Sequence, residues 1–197
     1  LVGTGIETDR LFTSVMTDHG KLGKRLADAV IQDKAVKVGI LSGNQSQLGM
    51  RQRLKSVKDN LAEAGIEISW ILSEKELDKK MRNVEYFTEN PVDAVISLEN
   101  DDTEKAVDII LNHDSISWKL YGEGRSEKLI YYLDKGTIQE LAVPNEYYMG
   151  YQSIVLAAQN IRYYTDKTER ADVEFYMVSK DNLYAEETSR ILFPTVR

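Results

Sequence analysis

Between Val36 and Leu72 the chain runs from an apolar stretch, VKVGILS, through GNQSQLGMRQRLKSVKDNLAEAG, into a second apolar stretch, IEISWIL. This pattern reads as one βαβ unit, because parallel strands need a crossover of a dozen or more residues, usually a helix. Open parallel sheets bind ligands in the crevice beyond the carboxyl ends of their strands. Ser42 to Arg53 therefore falls at the mouth of such a crevice. Leu54, Val57, Leu61 and Ala64 recur at helical spacing with charged residues between them, and Gly65 supplies a C-cap. Taken from this segment alone, the polar residues Ser42, Asn44, Ser46, Arg51 and Arg53 suit capping and solvating the helix start somewhat better than facing a ligand.

The alternation extends in both directions. Phe12 to Met16 reads as a short strand, followed by Thr17, Asp18, His19 and Gly20 and by a helix with Leu22, Leu26 and Val30 on one face. Beyond the βαβ unit, the charged segment Glu74 to Glu89 reads as one helix that ends at Asn90 and Pro91. Ala94 to Leu98 is a continuous apolar run, as in a strand covered on both faces, with Glu99, Asn100, Asp101 and Asp102 at its carboxyl end. Asp101 or Asp102 suits the N-cap of the helix carrying Ala106, Ile109 and Ile110. Trp118 to Tyr121 is the next strand, Gly122, Glu123 and Gly124 a turn, and a helix through Leu129 and Leu133 stops at Gly136. Ile138 to Val143, a helix from Asn145, and a strand at Val173 to Val178 complete the series. Strands alternating with helices predict an α/β fold: an open, mainly parallel sheet flanked by helices on both faces.

Composition removes several classes of function. A net charge of −7 with no basic face argues against direct nucleic-acid contact by this segment. The chain has no cysteine, which excludes thiol catalysis, thiolate metal sites and disulfides. No apolar run is long enough to span a bilayer. LVGTG at the start reads as a strand end, as in a trimmed chain. His19 and His113 lack metal-ligand spacing and are expected at the surface or in caps, and the acidic run from Glu99 to Asp102 lacks the alternation of a calcium loop. The tyrosine pairs Tyr131/Tyr132 and Tyr147/Tyr148 suit a core or interface more readily than ring stacking. Hydrolase, zinc-protease, phosphate-loop and dinucleotide fingerprints do not occur, so neither a catalytic role nor a cofactor is expected.

Five segments in order carry a resemblance: TDHG before a helix; KVGILSGNQSQLGMRQR; PVDAVISLENDDTEKAV; LYGEGRSEKLIYYLDKGTIQELAVP; and VSKDNLYAEETSRILFP. The series is similar to the C-terminal lobe of type 1 periplasmic binding proteins, the ribose-binding-like group whose fold LacI-type effector domains share. In that family two lobes close on a small ligand, usually a sugar. The resemblance implies that residues 1–10 are a remnant of the first lobe, 11–143 the second, ligand-binding lobe, and 144–197 a helix, strand and tail that return to the first.

It also implies ligand contacts from Arg51, Glu99, Asn100 and Asn145, with Arg53 a structural partner. Asp18 matches an Asp or Asn near the first crossover, where helix capping serves equally well, and Asn44 lies on the loop after the first strand of the βαβ unit. The family's Gly-x-Asp turn is here Gly122, Glu123, Gly124, so Glu123 substitutes for the aspartate only if the turn is reshaped. The implied function is that of an extracytoplasmic solute-binding protein serving a membrane transporter or a sensor kinase. The alternative is the effector and dimerisation domain of a LacI-type regulator in the cytoplasm. With most of lobe one absent from the segment, Tyr147, Tyr151, Ile154 and Ile161 would lack their sheet, which implies a homodimer, segment exchange, or repacking onto the second lobe.

Overall fold

The structure, a computed structural model, describes residues 2–3, 13–163 and 170–193. Most of the 1–10 segment, Phe12, and Pro194 of the terminal ILFP lie outside the described residues. Helices and strands alternate as β1 (Val15–Thr17), α1 (His19–Gln32), β2 (Lys37–Leu41), α2 (Leu48–Glu63), β3 (Glu67–Leu72), α3 (Glu74–Lys80), α4 (Glu85–Glu89) and β4 (Ala94–Ser97). They continue as α5 (Asn100–Asn112), β5 (Lys119–Glu123), α6 (Glu127–Asp134), β6 (Ile138–Pro144), α7 (Glu146–Tyr163), β7 (Ala171–Val173), β8 (Phe175–Ser179) and α8 (Glu186–Leu192).

Among the described residues one sheet has six strands in the order β3-β2-β4-β5-β6-β8. All neighbours in it are parallel except β8, which runs antiparallel to β6 at the edge. Every residue of β4 is buried, as both-face coverage requires. On one face, Leu22, Leu26 and Val30 of α1 and Val57 and Leu61 of α2 pack on Ile40 and Ile96. On the other, Leu77, Phe87, Val107, Leu129 and Leu133 pack on Leu41, Val95 and Leu120. Gly39 is fixed by this core, because a Cβ there would stand 2.1 Å from the Trp70 ring.

Four expectations need correction. The segment 74–89 is two short helices, not one. Phe87 meets Trp70 at 5.7 Å and Trp118 at 5.0 Å between ring centroids, and the chain bends after Lys80 to bring it there. The fifth strand does not turn at Gly122 but continues through Glu123, since a Cβ on Gly122 would lie 2.5 Å from Thr103 Cγ2 and only glycine admits that overlying side chain. Neither Asp101 nor Asp102 caps α5; Glu99 occupies the N-cap position, without a side-chain cap bond. The last strand is two strands broken at Glu174: β7 pairs with β1 in a separate two-stranded sheet, and β8 enters the main sheet.

Among the described residues of the tail, Leu183, Ile191 and Leu192 pack with Val178 in the core of the six-stranded sheet. Among the described residues, the hydrophobic cluster of the small unit of β1, β7 and α7 is formed by Val15, Met149 and Val173. Tyr147, Ile154 and Ile161 of α7 remain 74%, 72% and 75% exposed.

Candidate functional site

The parallel strands β2, β4 and β5 deliver their carboxyl ends to one edge of the sheet. After β2, Gly43 takes a left-handed φ of +63°, and a Cβ there would stand 2.6 Å from Glu99 Oε2. That glycine lets the loop close over the β4 tip, and the Asn44 backbone N–H donates to Glu99 Oε2 at 3.1 Å. At the β5 tip, Gly124 is in contact with Asn100, whose Oδ1 accepts from the Arg125 backbone N–H at 3.2 Å. Thr103, fully buried beneath both, places its hydroxyl 2.8 Å from the Glu99 carbonyl and 2.9 Å from that of Glu123. One threonine thus ties the β4 and β5 tips together.

Into this floor reaches Arg53, only 4% exposed, from the inner face of α2. Its Nη1 donates to the Leu98 carbonyl at 2.5 Å and lies 3.4 Å from Glu123 Oε2, and its Nε donates to His19 Nδ1 at 3.1 Å. Burial pushes the Glu123 carboxyl above its ordinary pKa, while the Arg53 guanidinium pulls it back toward the charged form. The floor therefore combines carboxylates, an amide and a guanidinium, a set that both donates to and accepts from hydroxyl groups. It continues into a cavity of about 980 Å³ whose walls include Asn100, Glu123, Arg125, Tyr131, Tyr184 and Phe193. Among the described residues no cluster of His, Cys, Asp and Glu is arranged to hold a metal ion.

Glu99, Asn100 and Glu123 are brought together as the sequence implied. Among the described residues no hydrogen bond or ion pair joins Arg51 to them. Arg51 is exposed, and its Nη1 donates to the Gln45 and Ser46 carbonyls at 3.2 and 2.9 Å. Arg51 and Arg53 leave α2 on different sides, one exposed and one buried, because residues two apart on a helix point about 200° away from each other. The Asn44 side chain closes its own loop, accepting from Ser46 N at 3.0 Å, so that only its backbone reaches Glu99. Asp18 and Asn145 stand at the two crossovers as caps: Asp18 accepts from Lys21 N at 2.9 Å and Asn145 from Tyr148 N at 3.0 Å. His19, expected at the surface or in a cap, is 4% exposed and bonded to Arg53. Thr103 and His19 were missed as site residues.

The model of the periplasmic binding protein domain matches residues 3–164. The chain belongs to the periplasmic binding protein family. Solved structures show the type 1 fold. A carbohydrate transporter solute-binding protein from Agrobacterium radiobacter, solved with D-arabinose, is 19% identical with a TM-score of 0.86, over 96% of this chain and 68% of that one. The Caulobacter myo-inositol binding protein is 18% identical with a TM-score of 0.81, over 96% of this chain and 67% of that one. A protein from Bacteroides fragilis described as a LacI transcriptional regulator is 14% identical with a TM-score of 0.75, over 87% of this chain and 63% of that one. The periplasmic-binding-protein chain thus spans about two thirds of these relatives. No curated protein matches it.

Proposed function

We propose that the chain is the second lobe of an extracytoplasmic solute-binding protein, and that the strand-tip floor binds a neutral sugar or polyol for a membrane transporter. The observation that carries this reading is the convergence of Arg53, Glu99, Asn100 and Glu123 at the carboxyl ends of adjacent parallel strands. Each hydroxyl of a sugar is donor and acceptor at once, and this floor offers both kinds of partner. Electrostatics favours an uncharged ligand: the two guanidiniums at the floor and its cavity are already engaged, Arg53 with Glu123 and Arg125 with Glu146, and Glu99 adds negative charge that repels phosphates and uronates. Tyr131 and Tyr184 beside the cavity offer ring faces for stacking.

On this reading the main sheet with β8 and α8 forms the ligand-binding lobe, while β1, β7 and α7 are the part of the first lobe that the chain contributes. Ligand-driven closure is then a population shift toward the closed form. A second reading, the effector domain of a cytoplasmic LacI-type regulator, is favoured only by the Bacteroides fragilis neighbour.

Titration calorimetry of the full-length protein against D-arabinose, D-ribose, D-glucose, D-galactose, myo-inositol and glucose 6-phosphate tests the proposal. Binding of at least one neutral member, with none of the phosphate, is expected. A preference for the phosphate would remove the reading. Export of the protein across the membrane supports the transporter assignment, and specific DNA binding by the full-length protein supports the regulator.

A further inference from the structure

Helices α1 and α2 approach each other more closely than ordinary side chains allow, and two glycines make that approach. A Cβ on Gly23 of α1 would stand 2.5 Å from the Arg53 carbonyl oxygen. One on Gly49 of α2 would stand 2.6 Å from His19 Nε2. The consequence is that the first side chain of α1, His19, lies against the guanidinium of α2's Arg53 in a space nearly closed to water.

We propose that His19 is a positioning residue for sugar binding: its neutral imidazole, carrying the proton on Nε2, holds the Arg53 guanidinium in the orientation a ligand hydroxyl meets. The proposal rests on Arg53 belonging to the binding floor. The tautomer follows from the two partners. Arg53 Nε–H can only donate, so His19 Nδ1 must accept at 3.1 Å, and the Gly3 carbonyl can only accept, so Nε2 must donate at 3.1 Å. The charged groups around the ring are Arg53, Arg170 and Asp18. Burial and the Arg53 charge lower its pKa to about 4, which keeps the ring neutral and its Nδ1 lone pair available.

Arg53 is thereby held at three points: His19 on Nε, with Leu98 and Glu123 on Nη1. Among the described residues these contacts leave Nη2 to donate to a ligand. Without the His19 bond the guanidinium can rotate about its remaining contacts, and a planar fork that rotates loses its geometric match to neighbouring hydroxyls.

Two isosteric substitutions separate this role from simple support of the helix start. His19→Asn puts an acceptor near the Nδ1 position and abandons Gly3. His19→Gln keeps a group near Nε2, retains the Gly3 bond and abandons Arg53. In calorimetry of the full-length protein with D-arabinose, or with whichever neutral sugar of the panel the wild type binds, His19→Asn is expected to keep affinity within about threefold. His19→Gln is expected to lose roughly ten- to a hundredfold, the scale of one hydrogen bond to a charged group. The reverse order, or equal affinities, overturns the proposal.

Nitrogen-15 spectroscopy of the ligand-free protein tests it independently. The expected signature is an unprotonated Nδ1, a protonated Nε2, and an Arg53 Nε–H whose exchange is slow in the wild type and in His19→Asn but fast in His19→Gln. An Nδ1-protonated ring, or slow exchange in all three, refutes the positioning role even if the glutamine variant folds poorly, because the tautomer is read on the wild type. Should the wild type bind no sugar, the binding reading falls, and these spectra alone decide whether His19 orients Arg53.

Discussion

Asp102 offers a direct measure of how deeply the helices bury polar groups beside the strand tips. Its carboxylate is fully buried in the first turn of α5, and neither oxygen has a hydrogen-bond partner among the described residues. The nearest cation, Lys105 Nζ, stands 3.5 Å from Oδ1 and is closer to Asp78, at 2.7 Å. Burial therefore dominates and pushes Asp102 up to about 6 from the ordinary 3.8, with Lys105 opposing it and Glu99 adding to it.

A folded-state pKa raised above the unfolded value means that folding takes up a proton. Below about pH 4 the group is protonated in both states and exerts no effect. As pH rises from about 4 to 6 the fold loses stability, and above that range the loss is complete. A displacement of about two units corresponds to roughly 3 kcal/mol at 1.36 kcal/mol per unit. Asp102→Asn removes this penalty, in which the opposing contact to Lys105 is already counted, along with a favourable helix N-terminal charge worth about 0.3–1 kcal/mol. Denaturant unfolding of the variant should thus show a net gain of about 2 kcal/mol at pH 7 that shrinks toward zero near pH 4. A variant equally destabilised at both pH values would refute the reasoning, because it would show that the ionised carboxylate is satisfied in the fold.

Two further outcomes are expected. Arg53→Leu leaves the Glu123 carboxylate buried and unpaired and should cost about 3–5 kcal/mol in denaturant unfolding, whereas the exposed Arg51→Ala should change stability by no more than about 0.5 kcal/mol. The isolated 197-residue chain presents Tyr147, Tyr151, Ile154 and Ile161 to solvent, so light scattering should show self-association that Ile154→Glu with Ile161→Glu reduces; a strictly monomeric profile at high concentration would contradict this.

The parallel core was legible because β2, β4, β5 and β6 are short apolar runs closed by a glycine, an asparagine or a proline, and the longer helices among them carry an apolar stripe. The position of the floor followed from the same pattern, since ligand groups in such sheets collect after strand ends. Which arginine entered it was also written in the sequence: Met50, Arg53, Val57 and Leu61 lie on one face of α2 at helical spacing, and all are buried. Reading the stripe only from Leu54 onward hid that Arg53 continues it toward the N-terminus and that Arg51 falls off it.

His19 was less legible, because its burial depends on two helices meeting through Gly23 and Gly49, residues 26 positions apart that no local period connects. The break between α3 and α4 likewise answers to a long-range demand, the packing of Phe87 against Trp70 and Trp118, rather than to helix propensity within residues 74–89. The split at Glu174 between β7 and β8 depends on pairing with β1 and β6, strands remote in the chain.

The central claim is that the inward arginine of α2 meets the ligand, and a paired calorimetric titration tests it. With a neutral sugar that the wild type binds, Arg53→Lys keeps the charge facing Glu123 but lacks the planar fork, and should weaken binding roughly ten- to a hundredfold, while Arg51→Lys leaves it unchanged. Unaltered affinity in Arg53→Lys, or a loss confined to Arg51→Lys, would contradict the account.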